Sequence, residues 1–312
     1  MQGDLPLTAL LFPGQGSQSV GMGRHLWENQ ADALELFEEA ESILGWGLRD
    51  LCANGPLEDL TRTDRAQPAI FTCSVATWKV MERRGLDFDV ALGHSLGEYS
   101  ALVAVGHLTF SDALRVVETR GRAMWSCGER RAGTMAAILG LDDQIVEELC
   151  AKAGDAWPAN FNAPGQVVVS GSPEGVERVS RAASGRGARK VMQLQVSGAF
   201  HSPLVAGAAE ELGQVLDAAE FLPASRGRFF STTELRYPTV AELREVLMRQ
   251  LTSPVRFTGA VETALEDVDA GIEVGPGGVL AGLVKRVRRG LPVYGTDTED
   301  SLERTVDWAL GS

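Results

Sequence analysis

Asp89-Val-Ala-Leu-Gly-His-Ser-Leu-Gly-Glu-Tyr-Ser100 passes from a short apolar run, through two glycines, into a helical pattern. Within it, Gly93-His94-Ser95-Leu96-Gly97 fits G-x-S-x-G, the spacing of a strand that turns sharply into a helix and leaves the central serine on the turn. Glycines flank the serine because such a strained turn has no room for neighbouring side chains. Ser95 is then expected at the N-terminus of a helix from Leu96 to Val105. There the free amides and the helix dipole favour an oxyanion, with the Leu96 N–H as one donor. An ordinary glycine-rich turn is the alternative in a chain with 35 glycines.

Two further apolar runs end in similar corners. Leu7 to Phe12 leads into Pro-Gly-Gln-Gly and Gly271 to Val274 into Gly-Pro-Gly-Gly, so three strands finish at one edge, where open α/β sheets bind ligands. Glycine-rich corners alternating with helical periodicity predict an α/β fold with a largely parallel sheet. From Thr134 the rhythm changes. Thr134 to Leu139 reads as a strand, and Asp142 caps a helix with Ile145, Val146, Leu149 and Cys150 on one face, ending at Gly154. Strands Trp157 to Asn162 and Gln166 to Ser170 flank the turn Ala163-Pro164-Gly165. A helix follows from Ser172-Pro173 to Ser184-Gly185, and a strand from Ala188 to Val196. The order βαββαβ is ferredoxin-like. The expected organisation is a large α/β-hydrolase-like catalytic domain, residues 1–130 and 203–312, with a nucleophile elbow and an inserted ferredoxin-like small domain, residues 131–202.

Composition narrows the function classes. The 312 residues are 44% hydrophobic and 23% charged, ordinary for a soluble globular chain, and no apolar run is long enough to cross a bilayer. The opening MQGDLPLTALLF carries an acidic residue where a secretory leader would be basic, and reads as a first strand. Cys52, Cys73, Cys127 and Cys150 show no CxxC spacing, which indicates neither zinc nor a disulfide framework but reduced core thiols of a cytoplasmic protein. A net charge of −13 argues against a nucleic-acid partner, though not against an acidic protein that meets a local basic patch.

A serine nucleophile needs a base, and the chain offers only His25, His94, His107 and His201. His94 adjoins the serine, but neighbours at such a turn point apart, which suits packing or an oxyanion-region role. His25 falls in a surface helix, and His107 at the exit of the helix after the elbow. His201, in Gly198-Ala-Phe-His-Ser-Pro203, lies where the inserted domain returns to the large one; a structural loop histidine is the alternative. Gly14-Gln15-Gly16-Ser17-Gln18 fails both phosphate-loop tests, since Ser19 and Met22 stand where glycine and lysine are required. A tight loop with a Gln15 amide available to an oxyanion remains. In the helix expected from a cap at Ser111, Arg120 shares a face with Val116, Val117 and Met124, opposite Arg115, Glu118 and Arg122. An inward guanidinium must find an anion. Glu98 and a substrate carboxylate, held bidentately, are the alternatives.

Together these motifs resemble the malonyl-CoA:acyl carrier protein transacylase family, which includes the acyltransferases of polyketide synthesis. The likeness rests on Phe12-Pro-Gly-Gln-Gly-Ser-Gln18, Gly93 to Ser100, Arg120-Gly121 with Met124, Asn160-Phe-Asn-Ala-Pro-Gly-Gln166, Gly198 to His201, Ser253-Pro-Val-Arg-Phe257 and Glu273-Val-Gly-Pro-Gly277. It implies that Ser95 is the nucleophile, His201 the base, and Arg120 the anchor of the malonyl carboxylate. Gln15 and Leu96 would form the oxyanion hole, and a backbone carbonyl from Ser253 to Phe257 would orient the base. The implied reaction is ping-pong transfer from malonyl-CoA to the phosphopantetheine thiol of an acyl carrier protein, with no permanently bound cofactor or metal, by a cytoplasmic monomer. In the family, Phe200 accompanies malonyl selection, and Leu96 is compatible with it. Ser231-Thr-Thr-Glu-Leu-Arg-Tyr237 departs from the Asn-Val turn usual in housekeeping members, which leaves fatty-acid and polyketide pathways both open. A trans-acting polyketide acyltransferase and an acyl hydrolase on the same scaffold are the competing readings. Arg186, Arg189 and Lys190, with Lys285, Arg286, Arg288 and Arg289, are candidate docking charges for an acidic carrier; solvated faces are the alternative.

Overall fold

The computed structural model describes residues 6–311; the first residues of the expected opening strand, 1–5, lie outside them. Among the described residues, nine strands form two sheets. The larger contains β1 (Thr8–Phe12), β2 (Val90–Gly93), β7 (Arg228–Phe229), β8 (Ala270–Glu273) and β9 (Val293–Gly295) in the order β7-β2-β1-β8-β9. All its pairings are parallel. Every residue of β1, β2 and β8 is buried, as expected for strands covered by helices on both faces. The helix Thr63–Arg83 crosses over between β1 and β2 and contributes one of the longest runs of buried side chains.

The smaller sheet contains β3 (Thr134–Leu139), β4 (Ala156–Ala163), β5 (Gln166–Gly171) and β6 (Lys190–Gln193) in the order β4-β5-β3-β6. Its pairings are antiparallel, and the helices Asp143–Ala153 and Pro173–Gly185 supply the apolar side chains packed against it. This is the ferredoxin-like arrangement that βαββαβ predicts. The last strand is shorter than the expected Ala188 to Val196: beyond Gln193 the chain leaves the sheet and becomes a strap, Leu194 to Ser197, leading to Phe200 and His201. Ser253 to Phe257 lies along the outer edge of β4. There Val255 N–H donates to the Ala159 carbonyl and the Val255 carbonyl accepts from Phe161 N–H, both at 2.8 Å.

One local expectation is corrected. The helix bearing Arg120 spans Phe110–Arg130 and is capped by Thr109, whose hydroxyl accepts from Asp112 N–H at 3.1 Å; Ser111 is already inside the first turn. Thr109 has the extended backbone of a cap and an acidic residue three positions on, the stronger form of the same signal. His25 lies in the surface helix Arg24–Asn29, itself half-buried and with no partner at Nε2. Cys52, Cys73 and Cys150 are buried free thiols and Cys127 is partly exposed. Among the described residues, no helix is long and apolar enough to cross a membrane, and no cluster of His, Cys, Asp or Glu could hold a metal.

Candidate active site

β2 ends at Gly93 and the next helix begins at Gly97, with Ser95 between them at φ 52°. A Cβ on Gly93 would lie 1.9 Å from the Gly97 carbonyl carbon, and one on Gly97 would lie 2.0 Å from the Phe12 carbonyl oxygen. Those distances exclude any side chain, and the turn is the strained elbow that G-x-S-x-G predicts. His201 is also left-handed, at φ 55°. Left-handed backbone at a non-glycine residue is costly and persists where the surroundings hold it. Here the two strained residues face each other: Ser95 Oγ lies 2.7 Å from His201 Nε2.

The other ring nitrogen settles the tautomer. His201 Nδ1 lies 3.1 Å from both the Gln250 and the Ser253 carbonyl oxygens, so it carries the proton and donates to them. Nε2 is left with its lone pair toward the serine hydroxyl. His201 is buried, and desolvation, followed by the nearby Arg120 and His94, lowers its pKa to about 3. The imidazole is therefore neutral near pH 7, the state a general base requires.

Arg120 is 1% exposed. Its Nη1 donates to Gln67 Oε1 at 2.7 Å, and its Nη2 donates to Ser95 Oγ at 3.0 Å and to Gln250 Oε1 at 3.2 Å; Nε has no partner. The internal ion pair with Glu98 is not formed. Gln250 stands between the two, donating from Nε2 to Glu98 Oε2 at 2.6 Å and to the Ser95 carbonyl at 2.9 Å. Thr232 holds the other Glu98 oxygen through its N–H at 2.6 Å and its hydroxyl at 2.9 Å. Burial pushes the Glu98 carboxyl up and the Arg120 guanidinium down. Arg120 is thus a buried cation held by neutral amide oxygens and a hydroxyl, beside a cavity.

That cavity, of about 240 Å³, is lined by Gln15, Ser95, Leu96, Arg120, Phe200 and His201, with apolar walls from Met124, Met135, Leu194 and Val196. All six sequence-predicted site residues converge on it. Among the described residues, neither Gln15 N–H nor Leu96 N–H has an intramolecular acceptor, so both donors are free for a ligand oxygen. His94 is excluded as the base because its Nε2 engages Asn162 Oδ1 at 2.8 Å and its ring packs on Phe257. His107 Nδ1 donates to the Leu222 carbonyl at 2.7 Å, outside this group. Gln67, Gln250 and Thr232 were not among the expected site residues. Their available signal was polarity at buried positions of otherwise apolar helical or strand-end segments, which does not reveal which groups they meet.

A family profile described as "Acyl transferase domain" matches residues 9–297. The malonyl CoA-acyl carrier protein transacylase of Bacillus subtilis (strain 168) is 42% identical over 303 residues, 96% of each chain. The chain belongs to the malonyl-CoA:acyl carrier protein transacylase family. The transacylase of Escherichia coli (strain K12) is 41% identical, covering 89% of this chain and 92% of its own. Among solved structures, the malonyl CoA-acyl carrier protein transacylase from Coxiella burnetii superposes with a TM-score of 0.93 at 34% identity, covering 97% and 98% of the two chains. A malonyl-transacylase solved in complex with its type II PKS acyl-carrier protein gives a TM-score of 0.92 at 37% identity, with 96% and 99% covered. This transacylase-family fold thus carries its converged side chains on a full-length match rather than on a shared fragment.

Proposed function

We propose that the chain transfers a malonyl group from malonyl-CoA to the phosphopantetheine thiol of an acyl carrier protein through a malonyl ester on Ser95. The observation that carries this reading is the serine hydroxyl held between a neutral imidazole and a buried guanidinium whose bonded partners among the described residues are all neutral. His201 Nε2 accepts the Ser95 proton as Oγ attacks the thioester carbonyl. The oxyanion is received by the Gln15 and Leu96 amides, and coenzyme A departs as a thiol, protonated by His201. In the second half the carrier thiol gives its proton to His201 and attacks the ester, restoring Ser95. A thiolate is a good leaving group, so a histidine oriented by carbonyls rather than a carboxylate suffices. Arg120 holds the distal malonyl carboxylate, with charge-assisted bonds that a neutral acyl group cannot make. This favours transfer of a charged acyl group over hydrolysis of neutral ones. Phe200, at the cavity wall beside His201, limits substituents on the malonyl carbon.

The carrier surface follows from the two basic clusters. Leu139 pairs with both Gln166 and Lys190, and Arg286 donates from Nη1 to Gln166 Oε1. Arg189 and Lys190 therefore lie at the same end of the smaller sheet as Gln166, to which the helix Val279–Val287, with its exposed Lys285 and Arg286, is bonded. An acidic carrier would dock there, against the overall charge of −13. Residues 131–202 act as the small domain inserted in a cytoplasmic, monomeric enzyme, and fatty-acid and polyketide carriers present the same thiol. The test is intact-mass measurement after incubation with malonyl-CoA: the parent gains one malonyl group and Ser95→Ala gains none. An adduct on the Ser95→Ala protein would refute the nucleophile.

A further inference from the structure

The side chain of Gln15 is not free. Its Nε2 donates to Thr63 Oγ1 at 3.2 Å, and Thr63 Oγ1 lies 2.8 Å from Ser197 Oγ. Thr63 is fully buried at the first turn of the helix Thr63–Arg83. Its carbonyl oxygen would lie 2.9 Å from a Cβ on Gly121, so the arginine helix approaches it closely because the residue after Arg120 has no side chain. One turn further along the same face, Gln67 accepts from Arg120. These two buried polar residues of the helix therefore support two parts of the site: Gln67 the arginine and Thr63 the loop of Gln15.

Both groups that Thr63 touches need an external tie. Gln15 lies between Gly14 and Gly16, the latter at φ +104°, and glycines leave a loop free to reorient its amides. Ser197 closes the strap that delivers His201, and its carbonyl packs so tightly on the arginine helix that a Cβ on Gly128 would lie 1.7 Å away. A hydroxyl has one proton and two lone pairs, enough to accept from Gln15 and still bond Ser197. We propose that Thr63 is a positioning residue: its hydroxyl ties the oxyanion loop to the strap bearing the base, so that the Gln15 N–H and His201 Nε2 are set against Ser95 as one unit. This rests on the reading of Ser95 as the acylated group.

The tie acts on the reacting carbonyl and not on the acyl tail, which separates it from Arg120. Deleting one oxyanion donor costs about 10² to 10³ in rate, and misaligning it should cost less, so Thr63→Val is expected to slow acylation about tenfold. Rapid-quench acylation with malonyl-CoA and acetyl-CoA measures it. The expected result is an equal loss for both donors at a Michaelis constant within about twofold of the parent, recovery in Thr63→Ser, and no further loss when Ser197→Ala is added to Thr63→Val. A Thr63→Val rate within twofold of the parent, or losses that simply add, would overturn the tie. Should Thr63→Val fail to fold, Ser197→Ala at the half-buried end decides: a rate equal to the parent overturns it, and a several-fold loss for both donors supports it. Absence of any malonyl adduct on the parent would instead remove the reading of Ser95.

Discussion

Replacing Arg120 by alanine separates anchoring of the acyl tail from chemistry at the serine. In the parent, a malonyl carboxylate entering the cavity meets a buried guanidinium whose Nε has no partner and whose bonded partners are neutral. Without that partner the substrate carboxylate is buried unpaired, and breaking a buried ion pair on one side costs about 3–5 kcal/mol. At about 1.4 kcal/mol per decade, malonyl kcat/KM should fall roughly 10²- to 4 × 10³-fold. Acetyl transfer loses only the 3.0 Å bond from Nη2 to Ser95 Oγ and the ordering of Gln67 and Gln250. One such bond to a charged group is worth about 1.5–3 kcal/mol when it differs between ground and transition states, and less when it does not. Since Ser95 must turn from Arg120 toward the thioester in any case, the acetyl rate should stay within about tenfold of the parent. The assay is transfer to a carrier protein from each donor under pseudo-first-order conditions, with the malonyl-to-acetyl ratio as the readout. An equal loss for both donors would refute the anchoring role and make Arg120 a support of the Ser95 and Gln250 network.

Three other outcomes are expected. His201→Ala should slow acylation by about 10² to 10⁴, the range for a lost general base. Because the His201 pKa is lowered from its ordinary 6.5 to about 3, the parent's acylation rate should stay level as pH falls through 6.5 and decline only in stronger acid; an acid limb centred near 6.5 would contradict the buried neutral imidazole. The sign for stability agrees: a depressed folded pKa disfavours protonation of the fold, so this contribution is present above 6.5 and is lost as pH drops from there toward 3. Reversing two charges among Arg189, Lys190, Lys285 and Arg286 should raise the Michaelis constant for carrier protein while leaving acylation by malonyl-CoA unchanged, and salt should weaken the carrier step alone. An unaffected carrier Michaelis constant would discard that surface.

The elbow was legible because its chemistry is local. Glycine at both Gly93 and Gly97 is demanded by contacts of 2.0 Å or less, and a strand, a serine and a helix follow one another in sequence. The smaller sheet was legible for the same reason, since its strands and helices alternate without interruption. Arg120 could be placed inward from helical periodicity, but its partners could not be read. Gln67 and Gln250 come from helices far away in sequence, and nothing in the periodicity of Phe110–Arg130 says that Gln250 intervenes before Glu98. The cap at Thr109 differs by two residues from the expected Ser111, which is as good a capping residue by type; Asp112 three positions on and the extended backbone single out Thr109. The shortening of β6 has a functional cause: the residues expected to continue the strand are needed as the strap that lines the cavity and delivers His201.

The seam between Val255 and β4 has a further consequence, for fidelity of alignment. β4 ends its sheet, and an edge strand leaves a row of amides open to pairing with anything that fits. Ser253 to Phe257 occupies that edge in one frame only, because Val255 is fully buried and a slip of a single residue would turn it to solvent. Two positions before Val255 stands the carbonyl that holds His201 Nδ1. The same slip would carry that carbonyl out of line, so the apolar side chain of Val255 works as an index pin. It lets hydrophobic burial, a force without direction, set the angle of the His201 imidazole.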